Sequence, residues 1–281
     1  MTTQPFHTHH FDPMTGPVVI SLPHAGRAYD PTVLDELRVP VSSVLPLEDR
    51  YADRLTDAAI TARVPTIIAN IPRLVIDLNR APDDIDPVSI RGGIGGGVPV
   101  SAKARAGLGL IPTRLWGVGA LWKTALDPAI VSKRVRTIHT PYHAALAAAV
   151  QAARQNHGSA LLLDIHSMPP VHGDDAPDIV IGDRFGKTAA ARVTATAEAI
   201  FKELGFRVAL NAPYAGGYIV TRHAAPLIGV HALQIEIDRR LYLNAAFDEP
   251  TKGLARVQYA VLTLAERLGD ALPGRFAAAA E

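Results

Sequence analysis

The sequence predicts an α/β fold: a single domain (residues 1–281) of three layers, α/β/α, around a mixed, mostly parallel central sheet. Three observations carry the prediction. Short apolar runs alternate with longer amphipathic stretches, the rhythm of strands joined by crossover helices. The clearest run, Ala160-Leu161-Leu162-Leu163-Asp164-Ile165, lacks the polar alternation of a half-solvated strand and reads as one buried on both faces. A chain of 281 residues, 48% of them hydrophobic, can bury roughly 75% of its unfolded surface without staples.

The elements follow in order. Residues 1–16 hold His7, His9, His10 and Asp12 without an apolar run, and are expected to be flexible. The first strand covers 17–22 and ends at Pro23-His24; residues 65–70 and 74–77 supply two more. Residues 81–112 carry Pro82, Asp83, Asp84, Asp86, Pro87 and a cluster at Gly92, Gly93, Gly95, Gly96 and Gly97. A stretch of this length between strands of one sheet reads as a long functional loop or lid. Asp127-Pro128 and Thr140-Pro141 each set a capping side chain before a proline and mark helix starts. The second of these helices, alanine-rich over 144–153, stops at Gly158. Strands at 160–165, 178–182, 206–210 and 230–237 complete the sheet, with helices over 186–204 and 250–268.

Composition closes off several function classes. The 28 Lys and Arg balance 27 Asp and Glu, a formal net charge of +1, so no basic surplus marks a nucleic-acid binder. With no cysteine, thiol nucleophiles, disulfide scaffolds and every cysteine-held metal site are removed. Neither a basic-then-apolar leader nor a run of about 18 apolar residues is present, so a cytoplasmic protein without membrane contact is expected. Nothing in the pattern fixes an oligomeric state.

Several motifs fall short of familiar chemistry. Gly182-Asp183-Arg184-Phe185-Gly186-Lys187-Thr188 follows a strand and opens a helix, but a phosphate loop needs four residues between its glycines, not three. It reads instead as a tight turn whose Arg184 and free amides suit a carboxylate. No Gly-x-Ser-x-Gly elbow occurs, and Ser167 beside His166 points the opposite way on a strand. His139 and His143 have i, i+4 spacing, but Thr140-Pro141 between them favours a helix boundary. His223 and His231 stay open between supporting a site and a structural role.

A metal site is the stronger reading. His24 lies just past the first strand and His166 at the end of the strongest one, where open α/β sheets place their ligands. Two imidazoles and one carboxylate, from Glu48 or Asp49, leave zinc a fourth position for water. Arg73 and Arg80 bracket an apolar stretch, and Gly216, Gly217, Tyr218 and Arg222 follow in a second polar segment. Guanidinium forks grip carboxylates bidentately; the plain alternative is pairing with Asp77 and Asp238. Glu236 sits between Ile235 and Ile237, where a charge needs a partner or a task. Burial suits it to general-base work; the alternative is an ion pair with Arg239 or Arg240.

The motifs occur in a familiar order: Ser21-Leu22-Pro23-His24-Ala25-Gly26, Glu48-Asp49-Arg50, Asp77-Leu78-Asn79-Arg80, Pro141-Tyr142-His143, Asp164-Ile165-His166-Ser167, Gly216-Gly217-Tyr218 and Gln234-Ile235-Glu236. Over residues 18–242 the chain resembles the N-formylglutamate amidohydrolases, relatives of zinc carboxypeptidases and aspartoacylases. The resemblance implies a zinc-carboxypeptidase-like fold and one Zn2+ per chain on His24, Asp49 and His166. It implies Glu236 as general base, with Arg80 on a substrate carboxylate or the oxyanion. Arg73, Asn79, Arg222 and the Gly216-Gly217 turn, with Tyr218 and Arg184 beside it, would line the substrate pocket. Carboxypeptidase-like sites place a Glu three residues after the first His; here that position is Arg27, which leaves Glu48-Asp49 to supply the ligand. The implied activity is hydrolysis of N-formyl-L-glutamate or a related N-acyl amino acid, a small anionic substrate, within histidine degradation. A carboxypeptidase-like peptidase, another deacylase and a non-catalytic binder of small acids are the alternatives.

Overall fold

The computed structural model describes residues 4–93, 100–173 and 175–272. In chain order the elements are β1 (Phe6–His9), β2 (Val18–Leu22), α1 (Pro31–Glu36), α2 (Asp57–Thr61), β3 (Thr66–Ala69), α3 (Ala102–Arg105), β4 (Arg114–Leu115) and β5 (Gly119–Ala120). There follow α4 (Pro128–Arg134), α5 (Thr140–His157), β6 (Ala160–Met168), β7 (Ile179–Gly182), α6 (Ala191–Glu203), β8 (Val208–Leu210), α7 (Tyr218–His223), β9 (Val230–Asp238) and α8 (Gly253–Ala271).

Seven strands form one sheet in the order β1-β3-β2-β6-β9-β7-β8. All the pairings β2–β3, β2–β6, β6–β9 and β7–β8 are parallel, and β7–β9 is antiparallel. The sheet is therefore mixed and mostly parallel, as the unalternating strands predict. Every residue of β2, β6, β7 and β9 is buried, which is why these segments read as continuous apolar runs.

The chain gathers into two compact units. One comprises Thr8–Leu22, Arg50–Ile68 and Ala145 onward and holds the body of the sheet. Within it, α8 packs on β2, β6, α2 and α6, while α7 lies against β6 and β9. The buried face of α8, Val257, Ala260, Val261, Leu264, Ala265 and Leu268, has the three- and four-residue spacing of a helix covering a core. The other unit comprises residues up to His7, Pro23–Asp49 and Ala69–Ala144. Its core gathers Val44, Leu47, Leu74, Ile76, Leu110 and Leu121, with Trp122 donating its indole N–H to the Pro112 carbonyl at 2.7 Å.

The structure departs from the sequence expectations at five places. Residues 6–9 form an edge strand instead of a flexible tail, and Phe6 packs edge-on against Tyr142 at 5.6 Å. Residues 74–77 are not a strand. A turn closed by Val75 N to Pro72 O (2.9 Å) bends the chain, and the Asn79 backbone N–H donates to Asp77 Oδ1 at 2.8 Å. Thr140 is the first residue of α5 rather than a cap before it: its φ of −59° and ψ of −48° are helical, and α4 runs through a π-turn, Val135–His139, into α5. Pro141 has no N–H for the Thr137 carbonyl, and Thr137 falls inside that wider turn, which absorbs the misfit. The helix expected from residue 186 begins at Ala191. Of the segment expected as a loop or lid, Ile85, Ile90, Leu110 and Ile111 belong to the core; residues 94–99, with Gly95, Gly96 and Gly97, lie outside the described residues. Among the described residues no helix is long and apolar enough to cross a membrane.

Candidate functional site

Two histidine–aspartate pairs frame the site. His24 follows β2 by two residues and is buried, with Nε2 2.8 Å from Asp77 Oδ1 and Nδ1 3.6 Å from Asp49 Oδ2. A carboxylate oxygen only accepts, so Nε2 donates to Asp77 and Nδ1 is the ring nitrogen that faces Asp49. The backbone repeats the link: the Asp49 N–H donates to the His24 carbonyl at 3.1 Å. Gly26 lets this loop close, because a Cβ there would stand 2.2 Å from the Ile71 carbonyl oxygen. The second pair lies on β6, where His166 Nε2 is 2.8 Å from Asp164 Oδ2 and Asp164 Oδ1 accepts the Ser21 hydroxyl at 2.9 Å. The i, i+2 spacing puts Asp164 and His166 on one face of the strand.

One ligand atom from each of His24, Asp49 and His166, all buried, lies within 4.8 Å of the others. Glu48, adjacent to Asp49, is outside this group and accepts the Tyr29 hydroxyl at 2.6 Å. Two imidazoles and a carboxylate suit a divalent cation of the zinc type. The aspartate on the far nitrogen of each ring is the support that orients a ligating imidazole and raises its basicity. The residues present fit such an ion.

Asp77 is a junction as well as a support. Its Oδ2 lies 2.8 Å from Arg73 Nε and 3.6 Å from Arg80 Nε. Burial alone would raise its pKa, but Arg73, His24 and Arg80 together hold the carboxyl well below the usual range. The following loop is clamped from the π-turn and α5. His143 Nε2 lies 2.9 Å from the Leu78 carbonyl oxygen and His139 Nε2 2.9 Å from that of Arg80. Carbonyls only accept, so both rings donate from Nε2, and their centroids stand 4.3 Å apart. Burial pushes the His139 pKa down against the opposing pull of the Arg80 carbonyl and Asp77. Asn79 is buried, and Arg80 Nε is a buried donor without a hydrogen bond.

Glu236 stands on β9 at the register position paired with His166 of β6. Its Oε1 accepts Gln234 Nε2–H at 2.7 Å, and Gln234 Oε1 accepts the Gly217 N–H at 2.8 Å. Of the two arginines expected as alternative partners, Arg240 pairs with Asp238 and Arg239 Nε reaches Ser167 Oγ at 3.1 Å. Beside the glycine turn, Arg184 Nη1 donates to the Gly216 carbonyl at 3.4 Å.

The free amides expected around Arg184 are not there. Arg184 N donates to Ala215 O, Phe185 N to Asn211 Oδ1 and Gly186 N to Asp183 Oδ1, so the turn's amides are taken up by Asp183 and by the 211–215 segment. Tyr218 opens α7 half-buried, whereas Arg222 is exposed in its last turn. Burial and then Arg222 push the neighbouring His223 down to about 4. His231 is structural in its contacts, accepting the Ala190 N–H at 3.3 Å on Nδ1. From sequence, Asp164 and Gln234 entered only as members of motifs and His139 was set aside at a helix boundary, so none of the three was given a supporting role. The Asp-x-His and Gln-x-Glu spacings on strands were the available signal, and for His139 only its i, i+4 distance from His143.

Comparison with known proteins identifies the family. The family model for N-formylglutamate amidohydrolase matches residues 16–243. An N-formylglutamate deformylase of Pseudomonas putida is 30% identical over 235 residues, 81% of this chain and 82% of that protein. One of Pseudomonas aeruginosa is 29% identical over 236 residues, with the same coverage. The crystal structure of an N-formylglutamate amidohydrolase from Ralstonia eutropha JMP134 superposes with a TM-score of 0.89 at 30% identity, covering 96% of this chain and 99% of that one. The gene product Atu2144 of Agrobacterium tumefaciens shares the fold, with a TM-score of 0.65 at 18% identity and 96% of each chain covered. The chain belongs to the N-formylglutamate amidohydrolase family.

Proposed function

We propose that this chain is a zinc-dependent hydrolase of N-formyl-L-glutamate, or of a closely related N-acyl amino acid, releasing formate and the free amino acid. The observation that carries the reading is the convergence of His24, Asp49 and His166, each imidazole backed by a buried aspartate. Relatives named N-formylglutamate deformylases support the substrate class. The same reading sets the reaction in the cytoplasm, within histidine degradation.

One Zn2+ per chain, held by His24, Asp49 and His166, would supply a Lewis acid for the amide carbonyl and bring the pKa of a water to about 7. Glu236 would act as the general base, taking a proton from the water that adds to the formyl carbon and returning it to the nitrogen as the C–N bond breaks. Arg80, whose buried Nε makes no hydrogen bond, has donor capacity for the oxyanion or for a substrate carboxylate. Asn79, Arg73, Arg184, Gly216, Gly217, Tyr218 and Arg222 complete the substrate-binding surface in this reading. The test is Glu236→Gln in metal-loaded protein, with formate release as the assay. Retained metal with turnover lowered by about 10²–10⁴-fold is expected; unchanged turnover removes Glu236 from the reaction. A purified protein that takes up no zinc, or that binds N-formyl-L-glutamate without cleaving it, overturns the reading.

A further inference from the structure

We infer that Gln234 is a positioning residue for Glu236, tying the direction of the carboxylate to the Gly216-Gly217 turn. The inference rests on the proposed reaction and goes beyond it. Gln234 is buried on β9, two residues before Glu236, so both side chains lie on one face of the strand. Its amide has one possible orientation. The Gly217 N–H can only donate, so the atom 2.8 Å from it is the amide oxygen, and Nε2 therefore faces Glu236 Oε1 at 2.7 Å. An amide N–H only donates, so Glu236 must present a lone pair there, and its carboxylate plane is held from one side.

The turn at the other end of this link is itself fixed to the sheet. Gly182 of β7 is the register partner of Gln234. A Cβ on Gly182 would stand 2.6 Å from Ala215 C and Gly216 N, so the turn rests directly on the strand where no side chain intervenes. Gly216 takes a φ of +106°, which favours glycine. The chain of contacts therefore runs from β7 to the turn, through the Gln234 amide, to Glu236. A substrate group that touches the turn shifts the N–H that holds Gln234, and through it the base.

The alternative is that Gln234 only steadies the turn. Gln234→Glu separates the two, because it keeps the volume and an acceptor for Gly217 N–H but loses the donor to Glu236. Gln234→Met keeps the volume and loses both links. Steady-state kinetics on N-formyl-L-glutamate with zinc-loaded full-length protein should show kcat reduced at least tenfold in Q234E, with KM within twofold and zinc content unchanged. In Q234M, kcat should fall similarly and KM rise as well. A Q234E protein with kcat within twofold of the parent overturns the inference. If Q234E does not fold by circular dichroism, Q234M decides through the split between the constants, because a turn that is merely loosened raises KM alone: kcat within twofold of the parent with KM raised overturns the inference, and a tenfold loss of kcat supports it. A parent protein inactive on the substrate removes the proposed function and this inference with it, whereas an active parent with an unaffected variant removes this inference alone.

Discussion

His24 Nε2 lies 2.8 Å from Asp77 Oδ1, while the other oxygen of the same carboxylate lies 2.8 Å from Arg73 Nε. One buried aspartate thus orients a metal-ligand candidate and anchors an arginine. Asp77→Asn should weaken zinc binding by about 10–100-fold, the usual cost of removing a partner behind a ligating histidine. Competition with a chelator measures it. Unchanged affinity would detach Asp77 from the metal site.

The equivalent support at His166 has two layers, Asp164 and then Ser21. Asp164→Asn should reproduce the loss of zinc affinity. Ser21→Ala should mainly cost stability, about 1.5–3 kcal/mol for one buried hydrogen bond to a carboxylate. Zinc titration and thermal unfolding of the two variants separate these effects, and equal zinc losses in both would contradict the layering.

His143 donates to the Leu78 carbonyl beside Asn79 and Arg80. His143→Leu leaves that carbonyl buried without this donor, a cost of about 1–3 kcal/mol, and loosens the Arg80 loop. The expected kinetic result is a raised KM, with His143→Gln recovering part of it because its amide can still donate. Steady-state kinetics and denaturant unfolding check both statements.

Asp183 gathers Gly186 N–H, the Asn211 amide and the Thr194 hydroxyl. Burial pushes its pKa up, but these donors outweigh it and hold the pKa below its ordinary 3.8. A depressed carboxyl adds stability at neutral pH and loses it as pH falls through the folded value. Asp183→Asn should therefore be less stable than the parent by about 1–3 kcal/mol at pH 7. Unfolding curves of the two proteins should draw together below pH 3.8; a gap independent of pH would exclude the charge as its source.

Much of the sheet and the convergence of His24, Asp49 and His166 were legible because each depends on local pattern. Buried strands are apolar runs, and open α/β sheets place their sites where such runs end, which marked His24 and His166 as candidates. The choice between Glu48 and Asp49 was open because neighbours in sequence carry the same chemistry; the structure sends Glu48 to Tyr29. Residues 74–77 look like a strand by composition, yet a proline turn and a carboxylate-bound amide bend them. The pairing of His24 with Asp77 spans 53 residues, and no local pattern encodes a contact that long. The roles of His139 and His143 were hidden by Thr140-Pro141, which signals a helix start until a π-turn carries the helix through it.

The register of β6 against β9 pairs Asp164 with Gln234 and His166 with Glu236. Parallel strands turn paired residues to the same side of a sheet, and a slip by one position would send a whole strand's set to the opposite side. These four residues are therefore addressed by counting along the backbone as much as by their own identities. Exchanges of side chains can weaken them one at a time, whereas a single-residue insertion or deletion inside either strand would misplace two together. For engineering or divergence of this protein, length within β6 and β9 is the quantity to conserve, and new specificity has to enter through the loops.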